Sequence, residues 1–266
     1  MQGVSLGPLV LAADRAAVLA GLAVLLSLTG ILGRRRPALA SWGTSAALVA
    51  ALAARAGHVA GNWAVYAKAP LTIPAFWQGG FAPWAGVAGF ALVSALYLRR
   101  DRGLALPGAL SLGAALGSGM LIQLLVETGA TSLPRDVALR DLNGRAVAAE
   151  SWAQGPMVLN LWASWCPPCR REMPMMVDEA TRAGDVRYVF ANQGEGDAVI
   201  RDFLSREGLV MAPLMDPGSA LMRHFGAPGL PATLFIDARG QLIHARLGEI
   251  SRAELRARTD ALKGLE

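Results

Sequence analysis

Residues 157–174 read MVLNLWASWCPPCRREMP. Its first seven residues, MVLNLWA, are a short apolar run of the kind that fills a buried central strand. Prolines and charges take over after Cys166. Pro167 and Pro168 suit the first turn of a helix, where the backbone N–H has no intrahelical partner to lose. The helical pattern runs on through PPCRREMPMMVDEATRA, residues 167–183, and Pro174 inside it is expected to kink it. Cys166 and Cys169 therefore stand where a strand gives way to a helix. Unpaired amides and the positive end of the helix dipole surround Cys166 there, favouring its thiolate and lowering its pKa below the free value of about 8.5. Cys169 lies one turn inside and is shielded. The expected division of labour is an attacking Cys166 and a resolving Cys169.

These are the only two cysteines among 266 residues, so a four-cysteine zinc site is excluded. His58, His224 and His244 are scattered, and no metal is expected. On spacing alone two blander roles stay open for the pair: half of a zinc site completed by other ligands, or an inert structural pair. A redox pair needs no cofactor beyond its own Cys166–Cys169 disulfide.

Working outward, the second half of the chain alternates strands and helices. DVALRDLNGRAVAAESW (136–152) reads as strand, Asn-Gly turn, strand and short helix. VRYVFAN (186–192) is a strand. EGDAVIRDFLSREG (195–208) is an amphipathic helix stopped by Gly208. SALMRHFG is a further helix, and PATLFIDARGQLIHARLGE (231–249) is a hairpin with Pro231 just ahead of its first strand. SRAELRARTDALKG ends the pattern as a helix with Ser251 as N-cap and Glu254 completing a capping box. The alternation implies an α/β sheet domain over 131–266.

The first half differs. Residues 1–130 hold nine Lys/Arg and three Asp/Glu, whereas 131–266 hold 16 and 17. The chain's net charge of +5 thus resides in an apolar region, and no basic stripe with interleaved aromatics suggests nucleic acid. Four apolar runs, at about 9–32, 41–60, 81–98 and 104–126, each approach the ~20 residues that cross a hydrocarbon core. The expected architecture is an α-helical membrane domain of four spans over 1–130, then the α/β domain. The alternative, buried helices of a soluble protein, would need a larger polar shell than these residues offer.

MQGVSLGP lacks Lys and Arg, and Arg34–Arg36 follow the first run, the reverse of a secretory signal. The first run is therefore expected to be an uncleaved span. Arg34, Arg35 and Arg36, with Arg99, Arg100 and Arg102, place the loops after spans one and three inside. The 61–80 loop and everything after span four then lie outside. Trp63, Tyr66, Phe76 and Trp77 of that loop suit an interfacial aromatic belt. Asp14, Arg15, Arg55 and Glu127 lie in or near the spans, where a charge is costly and often functional; an interfacial or snorkelling position is the alternative.

Two resemblances add to this reading. LGPLVLAADRAAVLAGL and AARAGHVAGNWAVYAKAPLTIPAFWQGGFAPWAGVAG are similar to the early helices of prolipoprotein diacylglyceryl transferase, in an Arg-x-Gly segment, a Pro-Leu turn and a W-x-G-G stretch. That family has a functional His where this chain has Trp84, and its later Arg/Gly/Asn signature is absent from ALGSGMLIQLLVE (115–127). The resemblance implies a lipid-facing scaffold without transfer activity, with Arg55 contacting an anionic lipid head group.

In the second half, MVLNLWASWCPPCRREMP, FANQGEG and GLPATLFIDARGQLIHARLGE resemble, in order, TlpA/ResA-like thiol–disulfide oxidoreductases. The resemblance implies a thioredoxin fold with Cys166 and Cys169 as its redox pair, Trp165, Pro167 and Pro168 as supporting residues, and Pro231 as a cis-proline facing the pair. A trans loop proline is the alternative. It also implies that Glu195, in NQGE, tunes proton transfer to and from Cys169, because Asn160 stands where thioredoxin has a buried Asp; a simple helix-capping Glu is the alternative. Family members of this kind are reductases of extracytoplasmic protein disulfides, such as those of apocytochrome c. With no cysteine in the membrane half, the implied electron donor is a transmembrane thiol transporter of the CcdA/DsbD kind. The implied location is the bacterial inner membrane, multi-pass, with the redox domain on the periplasmic side. A disulfide-forming oxidase is the alternative, although dedicated oxidases usually carry a helical insertion for which the connection between Gly194 and Asp216 has no room. A lipid-modifying transferase with a redox appendage is a third class.

Overall fold

The computed structural model describes residues 3–6, 9–125, 132–134 and 136–264. The chain forms two compact units, Ala12–Glu127 and a second comprising Met1–Leu11 with Thr128–Glu266. Near the N-terminus β1 (Gly3–Leu6) and β2 (Leu9–Ala12) pair as a two-stranded sheet. The first span expected at 9–32 is therefore corrected at its start: α1 runs Ala13–Gly33. An apolar run such as Leu9–Ala12 carries no periodicity that separates strand from helix.

The helical unit continues with α2 (Pro37–Gly61), the single turn α3 (Trp63–Tyr66), α4 (Pro83–Arg100) and α5 (Ala105–Leu125). Helix α1 packs along α5 and α2, and α2 packs along α4. Small residues permit these close approaches. A Cβ on Gly21 would lie 2.9 Å from the Ala115 carbonyl oxygen, and one on Gly89 would lie 2.9 Å from the Ala53 methyl. Leu25, Leu39, Trp42, Ala46, Val93, Leu104 and Ala115 form the unit's core, and the Trp42 indole N–H donates to Ser94 Oγ at 3.1 Å.

Among the described residues, three stretches, Asp14–Gly33, Pro37–Gly61 and Arg102–Leu125, are long and apolar enough to cross a membrane. Helix α4 has 18 residues, begins Pro-Trp and ends Arg99-Arg100, which shortens its apolar length.

Arg55, the candidate lipid contact, is engaged within the protein. All five N–H donors of its guanidinium are used by backbone carbonyls of the α2–α4 connection. Nε donates to Ile73 (2.9 Å), Nη1 to Gly79 (2.7 Å) and Gly80 (3.0 Å), and Nη2 to Thr72 (3.0 Å) and Ile73 (2.7 Å). The cation also lies over the Tyr66 ring at 5.4 Å. With its donors on these carbonyls, Arg55 holds the loop in this arrangement. Gly80 makes this possible twice over. Its φ is +79°, and a Cβ there would lie 2.7 Å from His58 Nε2 and 2.9 Å from Arg55 Nη1. Tyr66 is buried beneath the loop and so leaves the proposed aromatic belt, whereas Trp63, Phe76 and Trp77 are exposed. Arg15 donates to the Trp77 carbonyl at 3.3 Å, and Asp14 is exposed. Glu127 lies outside the described residues.

The second unit is the expected α/β domain. Its seven-stranded sheet has the order β4-β3-β7-β6-β5-β8-β9. The turn at Asn143-Gly144 joins β3 (Leu139–Arg140) to β4 (Ala146–Val147), and α6 (Ala149–Trp152) follows. Central β5 (Met157–Trp162) is buried along its whole length, parallel to β6 (Arg187–Gln193) and antiparallel to β8 (Ala232–Ile236). Helix α7 (Pro167–Ala180) continues through Pro174. Helix α8 (Asp197–Glu207) stops at Gly208, whose φ is +63°. The three-residue β7 (Leu214–Asp216) was not expected from sequence; it pairs with β6 and β3. The Asp216 carboxylate then accepts the Ala220 and Leu221 N–H groups that start α9 (Ala220–Phe225). The sheet ends at β9 (Leu242–Leu247), and α10 (Arg252–Lys263) begins at Ser251, whose hydroxyl accepts the Glu254 N–H. Buried Glu179 of α7 binds Arg252 and Arg256 of α10, joining the two helices.

Because one guanidinium holds four carbonyls, Arg55→Gln is expected to loosen the 62–82 loop. Tryptic cleavage after Lys68 in detergent-solubilised protein should quicken several-fold; an unchanged rate would show that the loop is held by other contacts.

Candidate active site

The strand-to-helix junction expected from sequence is present. Cys166 is the N-cap of α7, and its Sγ accepts the Cys169 N–H at 3.3 Å. The two cysteines are joined in a disulfide. Both sulfurs are buried in this oxidised form, Cys166 retaining 3% exposure and Cys169 none. Trp165, directly before the pair, is 68% exposed, and Pro167 is exposed on the other side. Pro168 is half-buried. The exposed Trp165 ring and Pro167 thus flank Cys166 at the surface.

The Leu230–Pro231 peptide is cis. Ala232 pairs with Leu161 in the β5–β8 register, so Pro231 stands at the end of the sheet where β5 runs into the active-site turn. The Pro231 carbonyl accepts the Gly248 N–H at 2.8 Å.

Glu195 braces that same turn. Its carboxylate accepts the Ser164 N–H (2.7 Å), the Ser164 hydroxyl (2.5 Å) and the Asn192 amide (2.7 Å). These bonds fix the backbone two residues ahead of Cys166.

The deeply buried acid of the site is a different residue, Glu172, which the sequence analysis did not single out. It lies on α7 three residues after Cys169, hence on the same side of the helix. Its side chain is buried and held at both oxygens: the Asn160 amide donates to Oε1 at 3.2 Å and the Ile250 N–H to Oε2 at 3.0 Å. Asn160 also donates to Thr233 Oγ1 at 3.1 Å, and the two residues are register partners on β5 and β8. Burial pushes the Glu172 carboxyl up to about 8. The Ile250 and Asn160 hydrogen bonds oppose that rise, nearby Glu249 adds to it, and Arg171 reduces it. Glu172 can therefore exchange a proton near neutral pH on the cysteine side of α7. The available sequence signal was its i+3 spacing from Cys169.

Two outcomes follow from this geometry. Cys169→Ala should accumulate mixed disulfides through Cys166, and Cys166→Ala should accumulate few; equal trapping on a non-reducing gel would refute the assignment. The second concerns pH. The Glu172 carboxyl is raised from 4.5 unfolded to about 8 folded. Between those values the folded state holds a proton that the unfolded state has lost, so this group's effect is to lower stability as pH rises through that window. Glu172→Gln should remove a loss of stability on the order of a few kcal/mol across that window. Denaturation midpoints at about pH 5 and about pH 9 check this; equal pH dependence in both proteins would contradict it.

Comparison with known proteins agrees with the geometry. A family model described as Redoxin matches residues 128–262, and one described as Prolipoprotein diacylglyceryl transferase matches residues 12–121. The thiol-disulfide oxidoreductase ResA of Geobacillus thermodenitrificans is 28% identical over 155 residues, covering 56% of this chain and 89% of that protein. The thiol:disulfide interchange protein DsbE homolog of Paracoccus denitrificans is 33% identical over 173 residues, covering 65% of this chain and 86% of its own length. A solved structure of MTB dsbF, 27% identical, covers 49% of this chain and 99% of that one with a TM-score of 0.44. With the Redoxin model spanning half the sequence and one relative a third identical across most of its own length, the chain belongs to the Redoxin family and is a thiol–disulfide oxidoreductase of the ResA/DsbE type.

Proposed function

We propose that the protein is a membrane-anchored reductase of disulfides in extracytoplasmic proteins, apocytochrome c among them. The observation that carries the reading is the pairing of a helix-capping Cys166 with a buried Cys169 that has an acid one turn away. The Cys166 thiolate attacks a target disulfide and forms a mixed disulfide, releasing one target thiolate. Cys169 passes its proton to an ionised carboxylate, for which Glu172 is the best-placed acceptor. The Cys169 thiolate then attacks Cys166 Sγ. The bond from Cys166 to the target breaks, the target leaves with its second sulfur reduced, and the enzyme is left as the disulfide. Glu195 holds the turn that presents Cys166, and Pro231 borders the pair.

The sense of flow depends on the partner, since about 30 mV in this couple is worth 1.4 kcal/mol. Both cysteines lie in the α/β unit, so no thiol in the helical unit can relay electrons. We assign the supply to a transmembrane thiol transporter of the CcdA/DsbD kind.

The helical unit is read as a four-span anchor in a bacterial inner membrane. Helix α4 packs along α2 and is the proposed additional span. Arg36 donates to the Gly103 carbonyl at 2.9 Å, so the two basic loops share one end of the unit, the cytoplasmic one. Four spans then place the redox domain outside. Lipid contact falls to exposed apolar side chains such as Leu48, Leu52, Val87, Leu92, Leu110 and Leu124. Transfer activity is not part of this reading, because Trp84 stands where the transferase family has a functional His and Arg55 is committed to its loop.

Single cysteines introduced near residues 36 and 264 of a chain lacking its own should label from outside intact cells only at the second; the reverse pattern would overturn the orientation. In acid-quenched cells, a mass-shifting maleimide should find Cys166 and Cys169 mainly as dithiol, turning to disulfide when the thiol transporter is deleted. A pair that stays disulfide in every reductase background would make the protein an oxidase.

A further inference from the structure

The turn between β9 and α10, Gly248–Glu249–Ile250, touches three parts of the site. The Gly248 N–H donates to the Pro231 carbonyl at 2.8 Å, and the Ile250 N–H donates to Glu172 Oε2 at 3.0 Å. Between them, Glu249 Oε2 accepts from both Nε (3.1 Å) and Nη2 (2.8 Å) of Arg171, the residue preceding Glu172 on α7. Glu249 is 7% exposed on its side chain and Arg171 57%. The ion pair therefore closes across the CxxC helix from its solvent side. Its buried member is the neighbour in sequence of the amide that holds Glu172.

We propose that Glu249 is a positioning residue for the dithiol reaction, acting with Arg171 to fix the turn that holds Glu172 and to set how tightly Glu172 keeps its proton. The inference rests on the reading of Glu172 as the group that exchanges a proton with Cys169. Five groups face the Glu172 side of α7. Cys169 and Arg171 come from α7 itself, Asn160 from β5, and Glu249 with the Ile250 N–H from the turn. Arg246 of β9 donates to the Glu249 carbonyl at 3.5 Å, but its charge pairs with Glu254, which also faces His244. The two charges that act on Glu172 are thus Glu249 and Arg171, with opposite signs. Loss of the Glu249 charge weakens the hold on the proton, and loss of the Arg171 charge strengthens it. A merely structural ion pair has no such signature, since breaking it from either side would loosen the same turn.

The test uses the full-length reduced protein in detergent with dithiobis(nitrobenzoate) as the disulfide. Attack by Cys166 releases the first nitrothiolate, and attack by Cys169 on the mixed disulfide releases the second, so the slower phase reports resolution. The pH profile of that phase should show an inflexion that Glu172→Gln abolishes. Glu249→Gln should move the inflexion down and Arg171→Gln should move it up, each by roughly half a pH unit, with the double variant between them. Profiles that overlay the unmodified protein's, or that move in the same direction, would overturn the proposal. Arg171 is largely exposed, so its variant decides the matter alone if Glu249→Gln does not fold. A second phase in the unmodified protein that Glu172→Gln leaves unchanged would instead remove Glu172 from the reaction, and this proposal with it. Release of both nitrothiolates still supports the oxidoreductase reading in either case.

Discussion

A carboxyl group buried in an apolar core must have hydrogen-bond partners, and the α/β unit is arranged around that requirement at Glu172. Its two oxygens take an amide from the central strand and a backbone N–H from the turn before the last helix. Strand, CxxC helix and terminal helix are thereby joined at one point, directly after the cysteines. The same burial that demands these partners raises the carboxyl's proton affinity to about 8, near the pH at which thiols exchange protons. The group costs stability when ionised, a trade commonly found where chemistry is done.

The neighbouring acid, Glu195, serves a different end. Three hydrogen bonds to Ser164 and Asn192 keep it on the turn leading into Cys166. One carboxylate thus shapes the approach to the attacking sulfur while the other sits on the helix behind the resolving one. The positions of both follow from the junction of β5 with α7, which also sets Cys166 at the helix start and Cys169 one turn inside.

The helical unit solves a comparable problem with the opposite charge. A guanidinium among apolar helices is expensive unless its donors are met, and Arg55 meets all five with loop carbonyls at or just past the ends of two short 3-10 turns, Pro70–Thr72 and Phe76–Gln78. Cation and loop each supply what the other lacks. Within the stretch that the transferase family model matches, residues 12–121, this arginine holds the loop together.

The redox pair, the strand and helix around it, and the order of most later elements were legible in the sequence, because they depend on local rules: apolar runs, prolines at a helix start, a glycine stop and a capping serine. The apolar runs and the basic loops of the first half were legible for the same reason. Residues whose role depends on distant partners were not. Glu172 looked like one charge in CRREMP until the fold laid Asn160 from 12 residues earlier and Ile250 from 78 residues later against it. Arg55 looked free to bind an anion until a loop up to 25 residues away closed on it. β7 is three residues long, too short to carry a period, and exists through its pairing with β6 and β3. The sequence by itself determined where the sulfurs sit, one at the start of a helix and one a turn inside it, since an apolar run followed by prolines marks a strand-to-helix junction locally. Only the tertiary structure decided which carboxyl is buried beside them and which cation is already satisfied, because burial and hydrogen bonding are properties of neighbours brought together by folding.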